Sequence, residues 1–542
     1  MQNMSYLFRN FTNRILAQEF AYFKPKKTAD ISAVLIYPNC YEVGISNLGF
    51  QTVYRLLNQI NGFYCERAFL YPPPFQAKSA TLESNRSIAD FDLIAFSLAF
   101  ELDFVNMARM LDHAGIPLLA KNRDENHPLI LAGGLVMFMN PLPVKTFLDV
   151  IFIGEAEGLL EPFADIIEKA RVDHWSRNKI LEHLARIEGL FIPTIHNHKI
   201  PETIKRHYRS KQDKILNLSA LTTPLGLLKD MFLIEVGRGC PRNCRFCAVG
   251  YVYRPYRIHR LNEIKNNISR DIFHNRTIGL VGSAISDYPN LPDLIDYVIG
   301  NKGRLGISSF RIDEVNQRNI ELFERGGLQS ITVAPEAGSE RMRRVINKNI
   351  SEHEILHAAQ LLATSRLKTL KLYFMIGLPF EEMTDLEAIV DLGAKINEIY
   401  NQGKSKGKVK ISCNVFIPKA FTPFQWSAMI DEKEIGHKRK YLYTKFKLFN
   451  KIHFNAAKST REDILQGIFS LGDENVSLLI NKLSRYNGNW KNAAREINFR
   501  YDDIVFKEKK NTQPLPWDFI KGRVAKQYLW REFMRAREMA MD

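Results

Sequence analysis

Cysteine is scarce: six residues in a chain of 542 cannot make a disulfide framework. Long apolar runs are absent too. No uninterrupted stretch approaches the roughly 20 residues that a membrane-spanning helix needs, so no membrane span is expected. The opening MQNMSYLFRNFTNRILAQEF carries acidic and polar residues where a secretory leader would have its apolar stretch and small-residue cleavage site. A cytoplasmic protein is the expectation. There is no short-period repeat and no low-complexity tract. No G-x-G-x-x-G follows the first apolar run, which leaves a dinucleotide site without its fingerprint.

What is present suits a large soluble protein. Hydrophobic residues make up 45% and charged residues 25%, a globular balance, and the length predicts two or three domains. The net charge of +16 would fit an anionic partner such as a nucleic acid. Lys and Arg are nevertheless spread along the whole chain, with only short clusters (KSKGKVK, KEKK), so a solvated basic surface is the simpler reading.

Residues 1–30 read as an N-terminal helical segment. Over residues 31–170, SAVLIYP, ERAFLYP, DLIAFSLA, PLILAGG and VIFIGEAE read as buried strands. Between them NLGFQTVYRLLNQI, DFVNMARMLDHAG and PVKTFLD carry apolar residues at helical spacing. That alternation predicts an α/β fold, a Rossmann-like parallel sheet whose ligand would lie beyond the strands' carboxyl ends. Residues 171–228 read as a linker. Over residues 229–430 a second series follows: MFLIEVG, TIGLVGSA, LGISSFRI, SITVAPEA, TLKLYFMIG and KISCNVFIP. Six strand–helix units match a partial (β/α)6 barrel, with its chemistry again at the carboxyl ends. Residues 431–542 read as a mainly helical extension.

Half of the thiols fall in GRGCPRNCRFCAVG, just after the first strand of the second series. Thiolates suit iron–sulfur clusters or zinc. Structural zinc would want a fourth ligand, and Cys40, Cys65 and Cys413 are not spaced to give one. A cubane cluster on Cys240, Cys244 and Cys247 leaves one iron free for another molecule. Arg238, Arg242 and Arg245 lie between and before these cysteines, where they would offset negative charge.

The C-x-x-x-C-x-x-C spacing, with Phe246 before the last cysteine, resembles the signature of the radical S-adenosylmethionine (SAM) superfamily. The resemblance implies a 4Fe-4S cluster whose unique iron takes the amino and carboxylate groups of SAM, and reductive cleavage to a 5'-deoxyadenosyl radical. It implies further contacts at later strand ends. Gly282 and Ser283 of VGSAISD stand where the family has a glycine-rich segment, here without its glutamate. Ser309 and Arg311 of SSFRID stand near the SAM carboxylate or ribose. Glu336 lies in an E-x-G-S segment, and Ile376 and Gly377 open a G-x-P-x-E segment beside the adenine. An electron donor such as flavodoxin or ferredoxin is expected from the superfamily.

The front domain resembles that of the cobalamin-binding subgroup, an uncharacterised branch of it in particular. GEAEG, with Gly154 and Glu155, is similar to the subgroup's Gly-Glu-x-Glu, and YPNCYEVGISNLGF, FIPKAFTPFQW and LPWDFI are similar to that branch. Cobalamin would make methylation of an unactivated carbon the outcome. The cobalt-ligating D-x-H-x-x-G is missing; Asp112-His113-Ala114-Gly115 has other spacing, and His113 reads as a helix-terminal residue. A sheet that kept the architecture without the cofactor is the competing reading. Methylthiotransferase-like modification of RNA or protein would need three further cysteines in front, where only Cys40 and Cys65 occur. A non-catalytic iron–sulfur or RNA-binding scaffold is the remaining alternative, with Trp490, Trp517 and Trp530 as stacking candidates; packing is the simpler role for these rings.

Overall fold

The computed structural model describes residues 2–196, 203–210, 215–402, 407–456, 459–486 and 488–541. The KSKGKVK cluster lies partly outside them. The chain divides into two compact units. One comprises Met1–Asp230, Ile468–Tyr501 and Pro514–Gly522; the other comprises Met231–Gly467, Asp502–Gln513 and Arg523–Asp542. This differs from the five segments read from the sequence. Residues 171–228 belong to the first unit, and residues 431–542 are shared between both units instead of forming an extension of their own.

The first unit is built on a six-stranded sheet. Its strands are β1 (Ile31–Cys40), β2 (Phe63–Leu70), β3 (Leu93–Ser97), β4 (Leu129–Gly133), β5 (Val150–Phe152) and β6 (Leu190–Phe191). They lie in the order β2-β1-β3-β4-β5-β6. The first five are parallel and are the five predicted strands; β6 adds an antiparallel edge. Every residue from Ile31 to Pro38 is buried, as in a strand covered on both faces. Strand order reverses between β1 and β3, so their carboxyl ends form the switch point of the sheet.

Helices form at Gln2–Leu16, Leu48–Gln59 and Asp103–His113, as the spacing predicts. PVKTFLD instead gives a 3-10 turn, Leu142–Phe147, with Pro143 inside it where no N–H is available to an α-helical ladder. His113 ends its helix and is exposed. The C-terminal helix Val476–Ser484 also belongs here. Arg109 donates to the Leu483 and Ser484 carbonyls, and buried Asn140 donates to those of Ser470 and Gly472.

The second unit carries two parallel sheets. One orders β7 (Phe232–Glu235), β8 (Thr277–Val281) and β9 (Arg304–Ile307); the other orders β10 (Ser330–Glu336), β11 (Thr369–Ile376), β12 (Lys408–Val415) and β13 (Ile452–Ala456). The Phe310 N–H donates to the Thr332 carbonyl at 2.8 Å and bridges them. All six predicted strands form. β13 is additional and lies in a stretch read as helical. It is five residues long, and it covers the edge of β12 by pairing Val409 with Ile452 and Ile411 with Phe454. Among the described residues no helix is long and apolar enough to cross a membrane.

Candidate functional site

The cysteine loop follows β7 at its carboxyl end and folds back on the short helix Val249–Val252. Two glycines permit this fold. A Cβ on Gly239, whose φ is +84°, would lie 2.8 Å from the Tyr253 carbonyl oxygen; one on Gly250 would lie 2.7 Å from that of Arg242. Asn243 anchors the turn. Its carbonyl accepts from Tyr251 Oη at 3.0 Å and from Asn347 Nδ2 at 2.9 Å, and its side chain accepts from Arg254.

Burial raises all three thiols, Cys247 to about 11. Lys348 and Arg311 oppose that rise at both Cys240 and Cys244. The three arginines of the loop do not play the part expected of them. Arg238 forks onto Glu235 at 2.9 and 3.0 Å, Arg242 pairs with Asp287, and Arg245 pairs with Glu532. Lys348 and Arg311, which have carboxylates of their own in Glu336 and Asp313, are the cations that act on the Cys240 and Cys244 thiols.

Glu336 ends β10 beside a register shift, with a backbone φ of +71°. A left-handed glutamate is strained and is held there by its surroundings. Its carboxylate is buried, which raises its pKa, and Lys348 Nζ lies 3.5 Å from Oε1 and partly offsets the rise. The E-x-G-S segment then turns tightly. A Cβ on Gly338 would meet the Ile389 nitrogen at 2.3 Å, and the Ser339 hydroxyl caps the helix Glu340–Val345 by accepting from the Met342 N–H. That short helix delivers Lys348 back to the cysteine loop.

The other strand ends differ. Arg311 lies close to Asp313 and donates its backbone N–H to Ser286 Oγ at 2.8 Å. Arg311 Nε, Asp313 Oδ1 and Asp287 Oδ2 are buried and, among the described residues, without a hydrogen-bond partner. Gly282 sits 3.3 Å, by its Cβ position, from the Gly237 carbonyl oxygen, while Ser283 and Ser309 are exposed and Phe246 is half-buried. Ile376 is fully buried, and Ile430 fills the space a Cβ on Gly377 would take. Glu381 of the G-x-P-x-E segment holds that turn: it accepts from the Gly377 N–H at 3.1 Å and pairs with Lys438 at 2.6 Å.

The donor set fits an iron–sulfur cluster: three thiols on one loop, partly buried, with two cations acting on them. Among the described residues no three His, Cys, Asp or Glu groups converge on a single metal ion. A cluster of several irons makes no such demand, since each sulfur binds its own iron. Sequence reasoning missed Lys348. Its only signal was Asn347-Lys348-Asn349, a few residues after the E-x-G-S segment, with two asparagines that tolerate the left-handed backbone found there.

In the first unit Gly154 and Glu155 follow β5. Gly154 has a φ of +138°, and a Cβ there would lie 2.2 Å from the His207 carbonyl oxygen. Glu155 is buried and accepts the Arg209 N–H at 2.8 Å. At these two residues the chain's own backbone therefore approaches closely, from the His207 carbonyl to Gly154 and from the Arg209 N–H to Glu155. At the switch point, Asn39 Nδ2 donates to Asp103 Oδ1 at 2.9 Å, and buried Asp103 Oδ2 has no hydrogen-bond partner among the described residues. Trp490 and Trp517 are buried; Trp530 packs edge-on against Trp426 at 5.1 Å.

Comparison with known proteins gives the family. Residues 234–393 match the model of the radical SAM superfamily, and residues 49–193 match that of the N-terminal region of radical SAM proteins. An uncharacterized protein of Methanocaldococcus jannaschii is 28% identical over 451 residues, covering 82% of this chain and 90% of that one. The anaerobic magnesium-protoporphyrin IX monomethyl ester cyclase of Cereibacter sphaeroides is 22% identical over 348 residues; the match covers 62% of this chain and 52% of the cyclase. The cobalamin-dependent SAM radical enzyme OxsB, solved with aqua-cobalamin bound, shares the fold with a TM-score of 0.52 and 13% identity, over 94% of this chain and 80% of OxsB. The chain belongs to the radical SAM superfamily, a membership that implies a 4Fe-4S cluster and S-adenosylmethionine.

Proposed function

We propose that Cys240, Cys244 and Cys247 hold the cluster, and that Glu336, Lys348 and Arg311 receive SAM beside it. When bound and reduced, such a cluster supplies the electron that cleaves SAM to methionine and a 5'-deoxyadenosyl radical, which abstracts hydrogen from a substrate. The residues of this chain bind and orient. Lys348 and Arg311 offer cationic donors to a carboxylate, Glu336 an acceptor to an ammonium group, and the partnerless atoms of Arg311, Asp313 and Asp287 further polar contacts. Holding the reacting carbon against one C–H bond is the protein's main contribution to rate.

The observation that carries this reading is the Lys348–Glu336 pair at 3.5 Å, on a segment tied to the tight loop of three cysteines by the Asn347 Nδ2 bond to the Asn243 carbonyl at 2.9 Å. The test is anaerobic: load the cluster, add SAM and a strong reductant, and identify nucleosides by mass spectrometry. 5'-Deoxyadenosine that depends on all three cysteines supports the proposal. A cluster-loaded protein that binds SAM and yields none with any candidate substrate returns it to the scaffold reading.

Cobalamin-dependent methylation of an unactivated carbon is the finer reading. Its support is the β2-β1-β3-β4-β5 order of the first unit and the fold shared with OxsB, which binds aqua-cobalamin. Gly154 and Glu155, just after β5, are the residues proposed to meet cobalamin. Titration with aqua-cobalamin, followed by its absorption spectrum, decides whether it binds. The methylthiotransferase reading has less behind it: Cys65 and Cys413 are buried in their strands, so no second cysteine triad assembles from them.

A further inference from the structure

Arg245 lies between two of the cysteines and is 2% exposed. All of its polar groups are engaged, and they reach three other elements of the same unit. Its N–H donates to the Ile346 carbonyl at 3.0 Å, and its own carbonyl accepts from the Phe424 N–H at 3.3 Å. Nη1 donates to the Val345 carbonyl at 2.7 Å. Nε and Nη2 both donate to Glu532 Oε2 at 3.2 Å. Glu532 is 5% exposed and sits on the helix Lys526–Met541, far away in sequence.

That helix touches the segments that follow several strands. Trp530 and Phe533 pack on Trp426, and Phe533 packs on Phe424 and Phe380. Arg341 donates to the Ala540 carbonyl at 3.0 Å. The ends of β11 and β12, the helix after β10 and the cysteine loop are therefore joined through one C-terminal helix. Among the described residues, Arg245 is where a buried ion pair makes the join beside a cysteine. Without Glu532 the guanidinium would be a buried cation short of its counter-charge. Seeking water, it would pull on the peptide that separates Cys244 from Cys247.

We propose that Glu532 is a positioning residue for the cysteine loop: through Arg245, the C-terminal helix fixes the spacing of Cys244 and Cys247 on which cluster retention depends. This rests on the reading that the cysteines hold a cluster. Partners one shell removed from metal ligands change metal retention by about 10–100-fold when lost.

The test compares cluster-loaded full-length protein with Glu532→Gln, and with Asp463→Asn as a control that breaks the partly buried Arg439–Asp463 pair (2.7 Å) elsewhere in the unit. Release of iron to a colorimetric chelator, the electron paramagnetic resonance spectrum of the reduced cluster and the thermal midpoint are recorded for each. Expected is iron release about tenfold faster for Glu532→Gln than for either comparator, with an altered spectrum and a midpoint no lower than the control's. Equal release, or acceleration matched by Asp463→Asn, overturns the inference. If Glu532→Gln fails to fold, Arg245→Lys, which keeps the charge and loses the fork, is judged by the same criteria. Absence of iron from the parent protein would instead overturn the cluster reading, and this inference with it.

Discussion

Lys348 Nζ stands 3.5 Å from Glu336 Oε1, and both charges act on the Cys244 thiol. The two residues are brought to one point by a strained glutamate at a strand end and a lysine held between two left-handed asparagines. An ion pair acting on a thiol of this partly buried loop is the arrangement proposed to be shared with a zwitterionic ligand.

Lys348→Gln is therefore expected to weaken SAM binding about tenfold, the worth of one charge-assisted hydrogen bond. Lys348→Arg should keep most of the affinity. Equilibrium dialysis of labelled SAM against cluster-loaded protein measures it. Unchanged binding in Lys348→Gln would remove the residue from the site.

Each of Cys240→Ala, Cys244→Ala and Cys247→Ala should abolish the iron–sulfur absorption band and 5'-deoxyadenosine formation. Cys413→Ala should keep both, at a cost of about 1–2 kcal/mol for a small cavity in β12. Iron content and urea unfolding report the two effects separately. Full iron content in any of the three loop variants contradicts the ligand assignment.

Asp103 makes a pH-dependent prediction about the first unit. Burial lifts its pKa from 3.8 to about 6, more than Asn39 and Asn106 lower it. A carboxyl that holds its proton more tightly when folded contributes stability below about pH 4, and that contribution is lost as the pH rises through 6. Asp103→Asn should therefore stabilise the unit at pH 8, by up to about 3 kcal/mol, and change little at pH 4. Thermal midpoints at the two pH values check the sign; a variant less stable at pH 8 than at pH 4, relative to the parent, would show that the carboxylate has a partner in solution.

Gly154→Ala and Gly338→Ala should both destabilise, each by more than about 2 kcal/mol. The first forces a Cβ against the His207 carbonyl at φ +138°; the second drives one into the Ile389 nitrogen. Gly338→Ala should also impair SAM binding, because it displaces the turn that follows Glu336. Gly154→Ala should leave SAM binding intact. Loss of SAM binding in Gly154→Ala, measured on folded protein, would contradict that separation.

Much of this molecule is legible in its sequence. Continuous apolar strands alternating with amphipathic helices identify both parallel sheets, because a strand buried on both faces leaves no other pattern, as Ile31 to Pro38 illustrate. The spacing of Cys240, Cys244 and Cys247 identifies the chemistry, because all three ligands lie within one loop. β13 was hidden because His453 and Asn455 interrupt the continuous apolar run that marks the other strands, and its existence depends on the open edge of β12. The roles of charged residues were hidden for a similar reason. Arg245 was read with the cysteines beside it, yet its partner is Glu532; Lys348, marked only by its flanking asparagines, acts with Arg311 on the thiols. Local pattern determines strands and ligand spacing, since those rest on neighbours along the chain. Which charge meets which is decided only by tertiary structure, because burial makes every ion choose a partner from residues that may lie hundreds of positions away.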